Sequence, residues 1–236
     1  MSATPVSVSL LSVQRSAWRQ IATVLAAICV AWVVTRWWLY PALGVPSYAP
    51  MLLRPILGFA TAWWLLARSG GGWRDVGLRA APSWPRAVLA GAAVYAAMTL
   101  VSRYAVPPLA EALSTTSAPS LIAQTVRGSL PWLALWLMIG WGVGGVIEEL
   151  LFRGFLLGRI EIALGGGRRA TVAAIVAQAV VFGALHVYQG SFGAVSAGVF
   201  ALVLGAGYVL AGRNLWPLIL VHGIWNSVSI WGAYAG

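Results

Sequence analysis

The chain is short of charge. Only 8% of its 236 residues are Asp, Glu, Lys or Arg, against about 25% in soluble globular domains. In their place 60% are hydrophobic and the mean hydropathy is +0.84. A water-soluble fold has no interior able to hide that fraction, so the composition excludes a soluble domain and implies an integral membrane protein. Lysine is absent: all fifteen basic residues are arginines, set against five acidic residues for a net charge of +10. The arginines are dispersed in short stretches between apolar runs, not gathered on one face. That pattern argues against a nucleic-acid partner and for a membrane-topology signal. Cysteine is almost missing as well. Cys29 stands alone inside an apolar run, so no intrachain disulfide can form and no cysteine cluster can hold a metal, while the redox compartment stays open. Long polar tracts, repeats and low-complexity segments are absent too, which leaves one membrane domain over 1–236.

What the chain does have is apolar runs of bilayer length. The first, Ile21 to Val34, follows Arg15 and Arg19 in the manner of a signal peptide, but Arg36, Trp37 and Trp38 stand where cleavage needs small residues, so the run reads as an uncleaved first span. Six more follow: Met51 to Ala67, Ala87 to Val101, Leu130 to about Gly154, Ala170 to Leu185, Ser191 to Gly212 and Asn214 to Tyr234. Lipid offers no hydrogen bonds to a bare backbone, and the ten-residue alternation of a membrane barrel is missing. The expected fold is therefore all-α, a polytopic transmembrane bundle of about seven spans, or eight. Several of the fourteen tryptophans, among them Trp37, Trp38, Trp73, Trp84 and Trp216, fall at run ends, where an indole is half buried and its N–H stays wet.

Alternating helices put the four arginines of Arg68 to Arg86, the two of Gly165 to Arg169, and Arg15, Arg19, Arg159 and Arg213 on one side. The positive-inside rule makes that side cytoplasmic, with the N-terminus inside and the cell (inner) membrane as the location. Tyr104 to Arg127, with Pro107, Pro108 and Pro119, reads as an external loop or surface helix. Gly205 and Gly212, with Ala201 and Ala206, predict close helix packing.

Two of the five acidic residues, Glu148 and Glu149, are adjacent and directly follow the uncharged stretch Gly128 to Ile147. Each ionised side chain at a helix centre costs roughly 2.5–3.5 kcal/mol, so Glu148, Glu149 and Arg153 together cost on the order of 8 kcal/mol if unpaired. Glu149 and Arg153 are four apart and share a face, which permits a charge-assisted pair. Glu148 points about 100° away. Glu149 and Arg153 are thus expected as structural support and Glu148 as the reactive carboxylate. The bland alternative is an interfacial ion-pair cluster at a helix end.

Both histidines lie at or inside apolar segments, each with a partner at helical spacing: Phe182 can fix the rotamer of His186, and His222 shares a face with Asn226. A lone membrane histidine is more often a hydrogen-bonded packing residue, but here three polar sites fall in the last four spans. If the chain turns near Gly167, Glu148 lies nineteen residues before it and His186 nineteen after, at equal depth in an antiparallel pair. His222 and Asn226 lie roughly 14 to 20 Å beyond a turn near Arg213, inside the bilayer.

These residues resemble a known family. Glu148-Glu149-Leu150-Leu151-Phe152-Arg153 matches EExxxR, Phe182 to His186 matches FxxxH, and His222 to Asn226 matches HxxxN. The three motifs, in this order, are those of the CAAX-processing and bacteriocin-processing membrane endopeptidases, with 130–236 as the motif-bearing core and Arg74 to Arg79 similar to the short loop that often precedes it. The resemblance implies an intramembrane glutamic endopeptidase of the CAAX prenyl protease type II kind. Glu148 would be general base toward water, His186 would orient the water or relay its proton, and His222 and Asn226 would donate to the oxyanion, with Glu149, Arg153 and Phe182 in support. It also implies a membrane-embedded or lipid-anchored protein or peptide substrate, prenylated or not, surrounded by membrane lipid, and no cofactor. Zinc on two histidines and a glutamate is the less favoured alternative, since the usual HExxH helix is missing. Two other classes stay open: a non-proteolytic immunity or scaffold protein, and a proton-coupled carrier, although the related halves common in carriers are not evident.

Overall fold

A computed structural model describes residues 10–43 and 49–236; the N-terminus itself, expected on the arginine-rich side, lies outside the described residues. Among these residues there is no strand. The main helices are α1 (Leu10–Leu39), α2 (Ala49–Arg68), α3 (Trp84–Tyr104), α4 (Val106–Ala112), α5 (Leu121–Val126), α6 (Leu130–Ala163), α7 (Gly167–Leu185), α8 (Gly190–Leu210) and α9 (Trp216–Ala235), with single turns at Tyr40–Leu43 and Val187–Gln189. The protein is an all-α, multi-pass membrane bundle. Among the described residues five stretches are long and apolar enough to cross a bilayer by themselves. The other two expected spans, α2 and α9, are 20-residue helices, each about 30 Å long; the polar residues that dilute their hydropathy include Arg54, His222 and Asn226. Apolar side chains such as Trp63, Trp64, Leu89, Leu100, Val180 and Leu210 are exposed on the outside, as a lipid-facing surface requires.

α6 is the axis of the bundle. Its residues 150–157, Arg153 among them, are buried without interruption, as in a helix enclosed by its neighbours. Its first half packs on α9 and α2 and its last turns on α1 and α7. The helix continues to Ala163, beyond the boundary expected near Gly154. It is also not α-helical throughout: Gly140–Glu148 and Leu150–Leu156 are wound as π-helix. Four of the nine residues in Gly140–Glu148 are glycine, which gives the α turn little intrinsic support. Such i→i+5 turns recur at functional sites because they re-aim side chains.

Glycines also set how closely α6 and α9 approach. A Cβ on Gly145 would stand 3.5 Å from the backbone of Gly223, and Gly223 in turn has no room for one against the Trp141 ring. Trp141 Nε1 donates to Ser227 Oγ at 2.9 Å and fixes the register. In α8 the expected close packing holds at Gly205, against Gln178 and Ile175, but not at Gly212. Gly212 adopts φ +66° in open space and ends α8, with Arg213 N–H donating to Tyr208 O at 2.9 Å, as a left-handed helix cap does. The connection after α3 contains α4 and α5 rather than a bare loop, and its middle is tied to the α7–α8 turn by Ala118 N–H to Gln189 O and Phe192 N–H to Thr116 O, both 3.0 Å. At the other end of the bundle Arg79, Arg159 and Arg213 line one cavity with Asp75, so these arginines do gather at a single end.

Candidate active site

Glu149 and Arg153 are both completely buried, and Arg153 Nη1 donates to Glu149 Oε1 at 2.8 Å. The expected pair is therefore present. The same Glu149 oxygen also accepts from His222 Nδ1 at 2.7 Å, a contact across 73 residues of sequence. Because a carboxylate only accepts, Nδ1 must carry the proton and Nε2 is the ring nitrogen left for chemistry. It lies 3.9 Å from Glu148 Oε2, too long for a direct hydrogen bond and close enough for both to reach one reacting group. Glu149 is thus a partner of His222 as well as of Arg153.

His186 caps the end of α7, and its Nδ1 donates to the Phe182 carbonyl at 2.8 Å. The carbonyl likewise only accepts, so the neutral ring keeps an unshared pair on Nε2. Phe182 stacks on the imidazole with centroids 4.5 Å apart, meets Phe152 edge-on at 4.9 Å and lies beneath the Arg153 guanidinium at 4.9 Å. The ring therefore joins the support pair to His186, fixing the imidazole from one side while its own carbonyl fixes the other.

Glu148, His186, His222 and Asn226 all line one cavity of about 120 Å³, whose remaining wall is largely apolar and includes Trp136, Ile139, Val143 and Ile230. The four candidate residues come from α6, the α7–α8 junction and α9; the equal-spacing argument concerns Glu148 and His186 alone. Two further residues beside Glu148 belong to no motif. Arg54 of α2 and Tyr188 line a smaller compartment of about 20 Å³ together with Glu148 and His186. Arg54 has a sequence signal of its own, since an arginine within an apolar run carries the same insertion cost as Glu148. Tyr188, an aromatic two residues after a histidine, has none.

Asn226 is held by donating Nδ2–H to the Gly140 carbonyl at 2.9 Å, which leaves its second N–H for the cavity. Its amide lies on a groove made by Gly140 and Gly144, and a methyl group on Gly144 would collide with Nδ2. Gly144→Ala is therefore expected to lower turnover as far as Asn226→Ala, by about 10²–10³, with the double variant no slower than either single one. Initial-rate measurements alongside thermal unfolding check this; additive losses would show that Gly144 does not act through the amide.

Residues 130–228 match a family model described as type II CAAX prenyl endopeptidase, Rce1-like. The matched segment contains Glu148, Glu149, Arg153, Phe182, His186, His222 and Asn226. No curated protein and no solved structure matches the chain.

Proposed function

We propose, from the match of residues 130–228 to the Rce1-like model of type II CAAX prenyl endopeptidases, that the chain cleaves a membrane-associated protein or peptide with a water molecule activated by Glu148. The observation that carries this reading is the meeting of Glu148, His186, His222 and Asn226 in one cavity inside a bilayer-spanning bundle. A carboxylate, two imidazoles with their outer nitrogens already bonded, and a fixed amide are the groups that hydrolysis needs, whereas a purely structural ion pair needs only Glu149 and Arg153.

Glu148 takes a proton from water as its oxygen bonds to the carbonyl carbon of the substrate. His186 Nε2, the acceptor nitrogen of that ring, orients the water and relays its proton to the departing amine nitrogen as the C–N bond breaks. The negative charge that develops on the carbonyl oxygen is met by the second N–H of Asn226 and by Nε2–H of His222 in its imidazolium form, with Glu149 as the anion behind it. Because these dipoles are fixed before substrate arrives, no reorganisation is needed at the transition state. The apolar wall of the cavity suits an apolar side chain or a prenyl group close to the scissile bond. We assign the arginine-rich end of the bundle to the cytoplasm.

The reaction so written requires no metal. Purified protein is expected to cleave an internally quenched farnesylated peptide ending in Cys-Val-Ile-Met, to retain its rate after exhaustive chelation, and to contain far less than one zinc per chain. In ¹⁸O-water the new carboxylate gains one heavy oxygen. Loss of rate on chelation with recovery on zinc addition would overturn the glutamate mechanism and establish a His2Glu metal site instead.

A further inference from the structure

The compartment of about 20 Å³ beside Glu148 shares Glu148, His186 and Tyr188 with the larger cavity but includes neither His222 nor Asn226. Its volume fits about one water molecule, and its lining offers the polar partners that a held water requires. Arg54 forms part of that lining. It is only 7% exposed, its guanidinium lies 5.7 Å over the Tyr188 ring, and it shares the wall of this compartment with the oppositely charged Glu148. The other guanidinium near Glu148, that of Arg153, is bonded to Glu149.

We infer that Arg54 is the counter-charge of Glu148, a positioning residue that keeps the general base a carboxylate turned toward the water compartment. This rests on the role proposed for Glu148 and adds to it. The groups that face Glu148 are Arg54 from α2, Glu149 and Arg153 on its own helix, His186 and Tyr188 from the α7–α8 junction, and His222 from α9. Removing Arg54 takes a positive charge out of a low-dielectric site, which favours a proton on Glu148, the carboxylate that lacks the hydrogen bonds Glu149 receives from Arg153 and His222. A protonated Glu148 cannot accept from water, so the base is lost until the pH is raised.

The test uses the full chain in lipid nanodiscs and two independent readings. The infrared carbonyl band of the buried carboxylic acid, assigned by its loss in E148Q, is titrated in the wild type, R54Q, R54M and R54K. In R54Q and R54M the midpoint is expected to move up by about 1 pH unit, the low end of the range for loss of a nearby opposite charge. R54K keeps the charge and restores it. The acid limb of kcat/KM for the farnesylated peptide moves by the same amount, with KM unchanged above it. Thermal unfolding confirms that each variant is folded, and either uncharged variant suffices. An unmoved midpoint in a folded uncharged variant, or an R54K that shifts as far as R54Q, overturns the inference. A wild type that leaves the peptide intact counts against the proposed reaction and not against the counter-charge, which the infrared titration reads without substrate.

Discussion

Glu148→Gln is expected to lower turnover by about 10² to 10⁴-fold, the contribution of a positioned general base, while the fold is kept and the unfolding temperature falls far less than in Glu149→Gln. The side chain keeps its shape and loses only its capacity to accept a proton. Stability is spared for a structural reason: the hydrogen bonds of the buried charge cluster run through Glu149, which takes both Arg153 and His222, and Glu148 makes no bond at hydrogen-bonding distance to either. The measurement is single-turnover cleavage of the farnesylated peptide beside a thermal melt in the same detergent. If Glu148 were instead a member of an interfacial ion-pair cluster, the melt would fall as far as that of Glu149→Gln and the rate would follow it. A variant that melts at a lower temperature and cleaves at near-normal speed would leave Glu148 no catalytic part.

That separation of roles was half legible in the sequence. Adjacent glutamates after twenty uncharged residues carry a cost that demands a partner, and the four-residue spacing to Arg153 names the partner of Glu149 and frees Glu148. The contact between Glu149 and His222 was not legible, because it joins α6 to α9 across 73 residues and no local periodicity reports it. The spans themselves follow from hydropathy, but the π-helical winding of Gly140–Leu156, broken only at Glu149, does not. Spacing arguments assume 3.6 residues per turn, and the glycines that permit the wider turn look like ordinary close-packing glycines. Gly212 shows the converse, since a small residue at a helix end reads as a packing surface until its positive φ reveals a cap. Arg54 belongs to no motif, although the cost argument applied to Glu148 applies to it unchanged.

Glu149→Gln is expected to fail in another way from Glu148→Gln. Arg153 is completely buried, and the structure gives its guanidinium one hydrogen-bonded partner. Removing the charge of Glu149 leaves a cation in an apolar interior, a loss of about 3–5 kcal/mol when one member of a buried pair is deleted. The measurement is reversible unfolding in mixed micelles together with folded yield on expression. Replacing both members, as Glu149→Gln with Arg153→Met, removes the stranded charge and is expected to recover much of the stability, because a buried ion pair and a well-packed apolar pair of similar volume are close in free energy. The double variant separates the two duties of Glu149. Stability returns, but His222 has lost the anion that fixes its Nδ1–H, so Nε2 is no longer held toward the reacting group and turnover remains low. Recovery of both stability and turnover would show that Glu149 serves Arg153 alone and that the 2.7 Å contact with His222 contributes nothing to the reaction.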